Sequence, residues 1–350
     1  MILLTGATGY LGTLVLARLL EDPDDGPQII CPVRAADAAG ARARLDATLA
    51  QIWREPGIAR SKRVQAVAAD LTGDLELDQV GEITHVLHCA AAVEFDLPLE
   101  QARAVNVEGT RRILDLVRQA PQLERIVHVS TAYVAGRAEG DVLEDVPVSG
   151  QIFRNSYEQS KHEAEALIWE QADSMPIVVC RPSIVVGEAQ TGWTSSFNVL
   201  YPPLRAYSRG ILRAAPATAD GIVDVVTGDY VADALIELLD APAASGTYHV
   251  VAGEDALSVA ELRDLAAATF GREPVELVSQ DGPADGVFAP YFRVHCRFDD
   301  RRAQELLGAA GITRPSIRDA FPRLMEFADD AAWGKRRIAR DEVINSSQPC

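Results

Sequence analysis

Lysine is nearly absent from this sequence of 350 residues, which contains thirty arginines but only three lysines, Lys62, Lys161 and Lys335. Basic residues as a whole are outnumbered, since 33 Lys and Arg face 51 Asp and Glu, a formal net charge of −18. A nucleic-acid binder needs a basic face that displaces counterions from phosphates. The charge balance therefore argues against nucleic acid as a partner.

Cysteines are also few, odd in number and without metal-ligand spacing, which predicts reduced thiols and neither a disulfide framework nor a metal site. They are Cys31, Cys89, Cys180, Cys296 and Cys350. No run of eighteen or more apolar residues is present, so we expect no transmembrane segment. The sequence opens on "MILLTGATG", without the basic and then apolar pattern of a signal peptide. We therefore expect a cytoplasmic protein.

The first half of the sequence alternates short apolar runs with amphipathic helical patterns. The apolar runs are "MILLT", "QIICPV", "VQAVAA", "THVLHCAA", "RIVHVS" and "PIVVCRP". Runs of this kind, without polar alternation, are typical of strands covered on both faces. Strands that alternate with helices predict an α/β fold, a Rossmann-type doubly wound parallel sheet.

After residue 187 the alternation stops, which predicts a second, smaller and discontinuous region. We assign 1–187 to a Rossmann domain that 221–252 completes, because "GIVDVVTG" and "GTYHVVAG" have the composition of strands that return to the sheet. The substrate-binding region is then 188–220 together with 253–330. The polar tail, 331–350, is expected to fray.

A glycine-rich turn, "TGATGYLG", joins the first strand to the first helix and carries Gly6, Gly9 and Gly12. One glycine permits the tight turn, one lets a diphosphate approach the backbone, and one allows close packing of helix on strand. The helix N-terminus offers free amides to the diphosphate. The remaining residues of the turn predicted to contact a dinucleotide are Thr8, Tyr10 and Leu11.

The choice of dinucleotide depends on the end of the second strand, "IICPVRAAD". NAD-binding proteins place a carboxylate there, on the adenosine ribose. This sequence has Arg34, whose guanidinium suits a 2′-phosphate, and Arg44 on the next helix can close over the same group. Asp37 would favour NAD but lies past the strand. The pattern predicts NADPH.

Two further strand ends are predicted to line the cofactor. Asp70 and Leu71, at the end of the third strand, would flank the adenine. Ala90 and Ala91, at the end of the fourth strand, have side chains small enough to admit the cofactor backbone.

Tyr157 and Lys161 in "NSYEQSK" are four residues apart, so they share one face of a helix that begins near Ser156. A phenol can donate a proton to a carbonyl oxygen, and a neighbouring ammonium can lower the phenol pKa and hold ribose hydroxyls. Lysine suits this role because its ammonium is a compact charge, unlike a planar guanidinium. The pair predicts a hydride-transfer site.

A third donor is expected from the end of the fifth strand, "RIVHVSTAYVAG". Alternation along a strand directs one of the two hydroxyls at this end to the cleft and the other to the interior. We assign Thr131 to the substrate oxygen and Ser130 to the nicotinamide.

These motifs together resemble the extended short-chain dehydrogenase/reductase superfamily over nearly the whole chain. The matching segments are "TGATGYLG", "NVEGTRRILDL", "VSTAYVAG" and "YEQSK". "HVSTAYVAG" and "RPSIVVGEAQTGW", with Arg34 after the second strand, are similar to the fatty acyl-CoA reductase and thioester reductase branch. The resemblance implies NADPH-dependent reduction of an acyl thioester, carried by coenzyme A or an acyl carrier protein, to an aldehyde or, by a second reduction, to an alcohol.

The resemblance also implies roles for individual residues. The catalytic group would be Thr131, Tyr157 and Lys161, with Lys161 also holding the cofactor. Asn106, in "NVEGT", would be a structural or proton-relay residue that borders the cofactor. Pro182 and Ser183 would lie near the nicotinamide.

Docking of an anionic carrier to an acidic protein needs local positive charge. Arg205, Arg209 and Arg213 follow one another at spacings of four and predict a basic helical stripe, for which a solvated face is the alternative. An acyl channel or simple core packing would equally explain the aromatic residues of this segment, which are Trp193, Phe197 and Tyr201.

Two other functions remain open at this level. An NADP-dependent carbonyl reductase or hydroxysteroid-type dehydrogenase would keep the same glycine turn and the same Tyr–Lys pair. A regulator that senses NADP without turnover would have no need of that pair.

Overall fold

A seven-stranded parallel sheet forms the centre of the computed structural model, which describes residues 1–55, 57–73, 75–144, 150–278 and 289–347. The strand order is β12-β7-β5-β4-β1-β2-β3, and every neighbouring pair is parallel. The predicted α/β class and Rossmann-type doubly wound sheet are confirmed. The strands are β1 Ile2–Thr5, β2 Ile29–Val33, β3 Val64–Ala68, β4 His85–His88, β5 Arg125–Val129, β6 Glu139–Val142, β7 Ile177–Pro182, β8 Ile184–Val186, β9 Ala214–Ala215, β10 Ile222–Val223, β11 Val225–Thr227, β12 Gly246–Val250, β13 Leu257–Ser258, β14 Glu276–Leu277 and β15 His295–Phe298.

Helices cover both faces of the sheet, as the apolar strands require. The helices are α1 Tyr10–Leu19, α2 Ala38–Ile52, α3 Gly57–Arg63, α4 Leu99–Asn106, α5 Glu108–Val117, α6 Ser156–Trp169, α7 Tyr201–Ser208, α8 Gly228–Asp240, α9 Val259–Phe270, α10 Arg301–Ala309, α11 Ile317–Asp330 and α12 Arg340–Ser347. Within the ranges given above, no helix is long and apolar enough to cross a bilayer.

The order of the strands reverses at β1, which has β2 on one side and β4 on the other. In open α/β sheets, ligands bind at such a point, beyond the carboxyl ends of the strands. The glycine turn follows β1 at this edge. The segments that follow β2, β4, β5 and β7 begin at the same edge, because the strands are parallel. The topology therefore brings the candidate residues together.

The prediction that both strands after residue 220 return to the main sheet is half right. Strand β12 pairs with β7 at the sheet edge, with Tyr248 opposite Cys180. In contrast, β10 pairs with β13 antiparallel and β11 pairs with β8 in parallel, each forming a separate two-stranded sheet. The carboxylate of buried Asp224, between β10 and β11, accepts hydrogen bonds from the backbone N–H groups of Ala252 and Gly253. These two hydrogen bonds hold the β10–β11 segment against the residues that follow β12, and not against the strands of the central sheet.

The segment after residue 330 does not fray over 331–347, contrary to expectation. The Trp193 indole donates to the Ile338 carbonyl at 3.0 Å, and the Arg340 guanidinium contacts the buried Glu188 carboxylate at 2.6 Å. Helix α12 also reaches α2, where Glu342 pairs with Arg54. A polar composition failed to predict this docking because the partners are distant in sequence.

Candidate active site

The glycine turn has no room for side chains, which fits the predicted approach of a diphosphate. Gly6 has a φ of +70°, and a Cβ there would lie 2.7 Å from the amide nitrogen of Ala90. A Cβ on Gly12 would lie 2.2 Å from the Gly6 carbonyl oxygen, so α1 packs directly on the turn. Gly9 is the N-cap of α1 and is exposed. Because glycine has no side chain to cap the helix, the first N–H groups of α1 remain available to a ligand.

The other turn residues differ in what they can offer. Thr8 and Leu11 are half-buried beside the turn. The Tyr10 hydroxyl donates to the Val186 carbonyl at 2.6 Å, so its side chain fastens α1 to β8. Only the backbone of Tyr10 remains for a cofactor.

Arg34 and Arg44 meet at the end of β2. The Arg44 Nη1 atom donates to the Arg34 main-chain carbonyl oxygen at 2.7 Å, and both side chains are exposed. The Asp37 carboxylate is the N-cap of α2, where it accepts from the Gly40 N–H at 2.7 Å. The acidic residue that favoured NAD is therefore engaged by its own helix, while the Arg34 guanidinium acts on the Asp70 carboxylate of the next strand end.

The next strand ends lie close by. Asp70 lies two residues past the end of β3, and its exposed carboxylate accepts from the Thr72 amide and hydroxyl, which lowers its pKa. The Leu71 carbonyl accepts from Arg112 Nη1 at 2.9 Å. Ala90 abuts Gly6, with its N–H donating to the Thr5 hydroxyl at 3.2 Å, and Ala91 follows it at the same half-buried edge.

Tyr157 and Thr131 meet, as the sequence predicts. The Thr131 side chain acts on the Tyr157 phenol and lowers its pKa, and the Thr131 hydroxyl lies 3.4 Å from the Pro182 carbonyl oxygen. Burial raises the pKa of Tyr157 to about 12, and the Thr131 contact offsets only part of this rise. The expected fall of the phenol pKa is thus wrong for this structure. At neutral pH the phenol keeps its proton and is a hydrogen-bond donor.

Lys161 lies one turn further along α6 with 2% of its surface exposed. Its ammonium donates to the Val129 carbonyl at 2.7 Å, at the end of β5. Burial lowers the pKa of Lys161 to about 8, while the Glu165 carboxylate acts in the opposite direction. The amine is therefore protonated at neutral pH and has two further N–H groups for a ligand.

Ser130 is turned away from the cleft, which corrects the expected contact with the nicotinamide. Its hydroxyl donates to the buried Glu165 carboxylate at 2.7 Å, and Glu165 pairs with buried Arg181. Alternation along the strand sends one hydroxyl inward, as predicted, but the inward partner is an ion pair that sequence inspection did not identify. Ser130 therefore stabilises the sheet and helix α6.

Asn106 is buried and connects the end of β4 to the helix that carries Tyr157. Its Oδ1 atom accepts from the Ala92 N–H at 2.8 Å, and its Nδ2 atom donates to the Ala92 carbonyl at 3.1 Å and to Ser160 Oγ at 2.9 Å. The Asn106 carbonyl accepts from Thr110, which also contacts His88 on β4. These contacts assign Asn106 a positioning role and do not place it against a cofactor.

An aromatic wall beside Tyr157 is a feature that sequence reasoning missed. The Phe95 ring lies 5.4 Å from the Tyr157 ring and 5.0 Å from the Tyr291 ring, measured between centroids. The Tyr291 hydroxyl accepts from Asn155, the N-cap of α6, at 2.9 Å. Tyr291 also contacts the fully buried Glu158. The partners of Tyr291 are more than 130 residues away in the sequence, so no local pattern could reveal them.

Pro182 and Ser183 lie at the end of β7, beside Thr131. The Ser183 side chain is buried next to the Asp224 carboxylate, whose pKa burial raises to about 6. Pro182 contributes the carbonyl that faces the Thr131 hydroxyl. Their expected contact with a nicotinamide stays a prediction.

The basic stripe expected on the substrate side is corrected. Helix α7 ends at Ser208, so Arg205 lies on it, Arg209 is its C-cap and Arg213 lies beyond Gly210, and the three do not form one helical stripe.

Of the two explanations for the aromatic residues of this segment, the contacts favour core packing. Trp193 and Tyr201 are buried, and Phe197 packs against Tyr201 and the ring of Phe327.

Comparison with known proteins finds sequence relatives that are named as fatty acyl-CoA reductases. Human fatty acyl-CoA reductase 2 is 28% identical over an alignment of 296 residues, and the alignment covers 72% of this chain and 58% of the human protein. The isonitrile lipopeptide synthase of Streptomyces coeruleorubidus is 36% identical over an alignment of 217 residues, and the alignment covers 59% of this chain and 14% of that protein. The chain spans little more than half the length of the fatty acyl-CoA reductases that it matches.

The fold is shared with a solved reductase domain. The terminal R domain from the myxalamid PKS-NRPS biosynthetic pathway superposes with a TM-score of 0.80 at 24% identity, over 95% of this chain and 91% of that domain. The family model named NAD_binding_4 matches residues 4–235, well over half of the chain. The resemblance to the fatty acyl-CoA reductase branch of extended short-chain dehydrogenases is confirmed. The chain belongs to the family described as Male sterility protein.

Proposed function

We propose that this protein reduces an acyl thioester to an aldehyde with NADPH. The observation that carries the proposal is the grouping of Thr131, Tyr157 and Lys161 at the carboxyl edge of the sheet, next to the glycine turn. The names of the relatives, fatty acyl-CoA reductases and a reductase domain of a PKS-NRPS pathway, supply the substrate class.

The residues present fit a nicotinamide dinucleotide. Gly6 and Gly12 allow the turn to pack tightly on the end of β4 and on α1, and the N-terminus of α1 begins at exposed Gly9 without a side-chain cap, which suits a diphosphate. NADPH is preferred over NADH because Arg34 and Arg44 supply positive charge at the end of β2, where Asp37 is engaged as a helix cap. When bound, the cofactor supplies the hydride to the thioester carbonyl carbon.

The residues of this chain stabilise the charge that develops on the carbonyl oxygen. The protonated Tyr157 phenol and the Thr131 hydroxyl are both donors, and one such donor contributes about 3 kcal/mol to the stability of a transition state. Lys161 holds ribose hydroxyls through its free N–H groups and keeps positive charge beside the phenol. Collapse of the tetrahedral oxyanion then breaks the carbon–sulfur bond, releases the thiolate, which takes up a proton, and leaves the aldehyde.

The test is to count cofactor and thiol in the same reaction. Purified protein, NADPH and a panel of acyl-CoA and acyl-carrier thioesters are mixed, and NADPH oxidation and free thiol are followed together. One NADPH per thiol identifies the aldehyde as product, and two identify the alcohol. Oxidation of NADPH by free ketones with no thiol released from any thioester would contradict the proposal and indicate a carbonyl reductase.

A further inference from the structure

An apolar cavity of about 270 Å³ lies between helices α7 and α9, away from the sheet. Its walls include Leu204 and Tyr207 from α7, Leu262 and Ala266 from α9, and Phe292. Arg263 is the one charged residue among the described residues that line it. The cavity offers almost no hydrogen-bonding partner, so a ligand that gains from entering it must itself be apolar.

The cavity is connected to the catalytic tyrosine by the aromatic wall. Phe292 lines the cavity, and the preceding residue, Tyr291, lies with its ring 5.0 Å from Phe95. Phe95 in turn lies 5.4 Å from Tyr157. A chain of packed aromatic rings therefore leads from the phenol to buried Tyr291, whose sequence neighbour Phe292 lines the cavity.

We propose that this cavity, called here the tail cavity, receives the hydrocarbon tail of the acyl group and limits its length. The proposal rests on the proposed function and adds the position of the acyl chain to it. A thioester has a polar reacting end and an apolar tail, and the wall of Phe95, Tyr291 and Phe292 joins the groups that suit each end. The anionic carrier meets a single cation there, Arg263, in an otherwise apolar lining, so we expect it to stay outside the cavity.

The dependence of rate on acyl length provides the test. With saturated acyl-CoA substrates from butanoyl to hexadecanoyl, kcat/KM is expected to rise by about fourfold for each methylene that enters the cavity. The rise stops at the length that fills the cavity. The Ala266→Phe variant fills part of the space, so its plateau should begin at a shorter chain while activity on butanoyl-CoA stays near that of the parent.

Ala267 provides a matched control. It is buried on the same helix and in the same apolar cluster, but it does not line the cavity. Ala267→Phe should keep the parent profile and so reveals any general effect of overpacking. Leu262→Ala enlarges the cavity and should extend the rise to longer chains, which keeps the test decisive if Ala266→Phe does not fold.

The outcomes separate this inference from the proposed function. If no thioester is reduced, the proposed function fails. If thioesters are reduced but the length profile is the same in the parent, Ala266→Phe and Leu262→Ala, the tail cavity does not hold the acyl chain and this inference alone is overturned. A change of oligomeric state in Ala266→Phe with an unchanged profile would overturn it too, and would assign the cavity to a second copy of the chain.

Discussion

Asn106 is expected to couple the cofactor-facing end of β4 to the catalytic helix, and removing its side chain tests this. Asn106→Ala deletes the two partly buried hydrogen bonds to the main chain of Ala92 and the buried one to Ser160. Three hydrogen bonds at about 1 kcal/mol each amount to about 3 kcal/mol of unfolding free energy. For 350 residues this loss lowers Tm by about 4 °C.

The effect on turnover should exceed the effect on stability. Because Ser160 lies between Tyr157 and Lys161 on α6, release of Asn106 lets the catalytic helix shift relative to the cofactor turn. A displacement of 1 Å at a reacting group costs about 100-fold in rate. We therefore expect kcat to fall by about that factor, while the Kd for NADPH changes by less. Calorimetry, steady-state kinetics and cofactor titration measure the three quantities.

Two variants serve as controls for this prediction. Leu49→Ala in α2 removes a buried side chain and costs a similar free energy, about 3 kcal/mol, but should keep kcat. Asn106→Asp retains the acceptor for the Ala92 N–H and loses the donors, so it should lie between the parent and Asn106→Ala. If Asn106→Ala lowers Tm as calculated but has the kcat of Leu49→Ala, the positioning role is refuted.

Three further changes have defined expectations. Arg34→Ala should weaken NADPH binding by about tenfold or more and leave NADH binding within twofold, measured by fluorescence titration, and an equal loss for both would contradict the role of the guanidinium. Burial raises the pKa of Glu144 from 4.5 to about 7, so the native state binds the extra proton and the free energy of unfolding falls as pH rises from 4.5 to 7. Glu144→Gln should flatten that fall in denaturant titrations, and an unchanged dependence of the unfolding free energy on pH would contradict the shift. The pKa of Lys161, lowered to about 8, predicts that the ammonium is lost and kcat/KM declines above pH 8, and a profile flat to pH 10 would contradict its role.

Much of the fold was predictable because six strands of the central sheet are short apolar runs and glycines mark the turn after β1. The six runs that begin at residues 1, 28, 64, 84, 125 and 176 all became strands of the central sheet. The segment 221–228 has the same composition, yet it pairs outside that sheet. Composition predicts that a segment is extended, but the choice of neighbour depends on partners that are distant in sequence.

The candidate site was predictable where spacing within one element decides the geometry. Tyr157 and Lys161 share a helix face because they are four residues apart, and Thr131 meets Tyr157 at the sheet edge. Ser130 was assigned wrongly because its partner, Glu165, lies 35 residues away. The hydrogen bond between Tyr291 and Asn155, the N-cap of α6, likewise joins residues that are 136 apart in the sequence. Periodicity within one element cannot predict such a contact.

The expected effect of the ammonium on the phenol was wrong for a physical reason. Desolvation of a buried tyrosine disfavours the phenolate, and Lys161 directs its ammonium to a backbone carbonyl. A protonated phenol is the form that a reductase requires, because it must donate to the carbonyl oxygen.

The rate of thiol release by Tyr157→Phe tests the central claim most directly. This variant keeps the ring that packs against Phe95 and removes only the donor. With NADPH and an acyl-CoA at saturation, thiol release should fall by a factor of about 100 to 1,000 while the Kd for NADPH stays unchanged. Tyr248→Phe, a buried tyrosine on β12, is the matched control and should release thiol at the parent rate. Release at the parent rate by Tyr157→Phe would contradict the claim that this phenol stabilises the reacting oxygen.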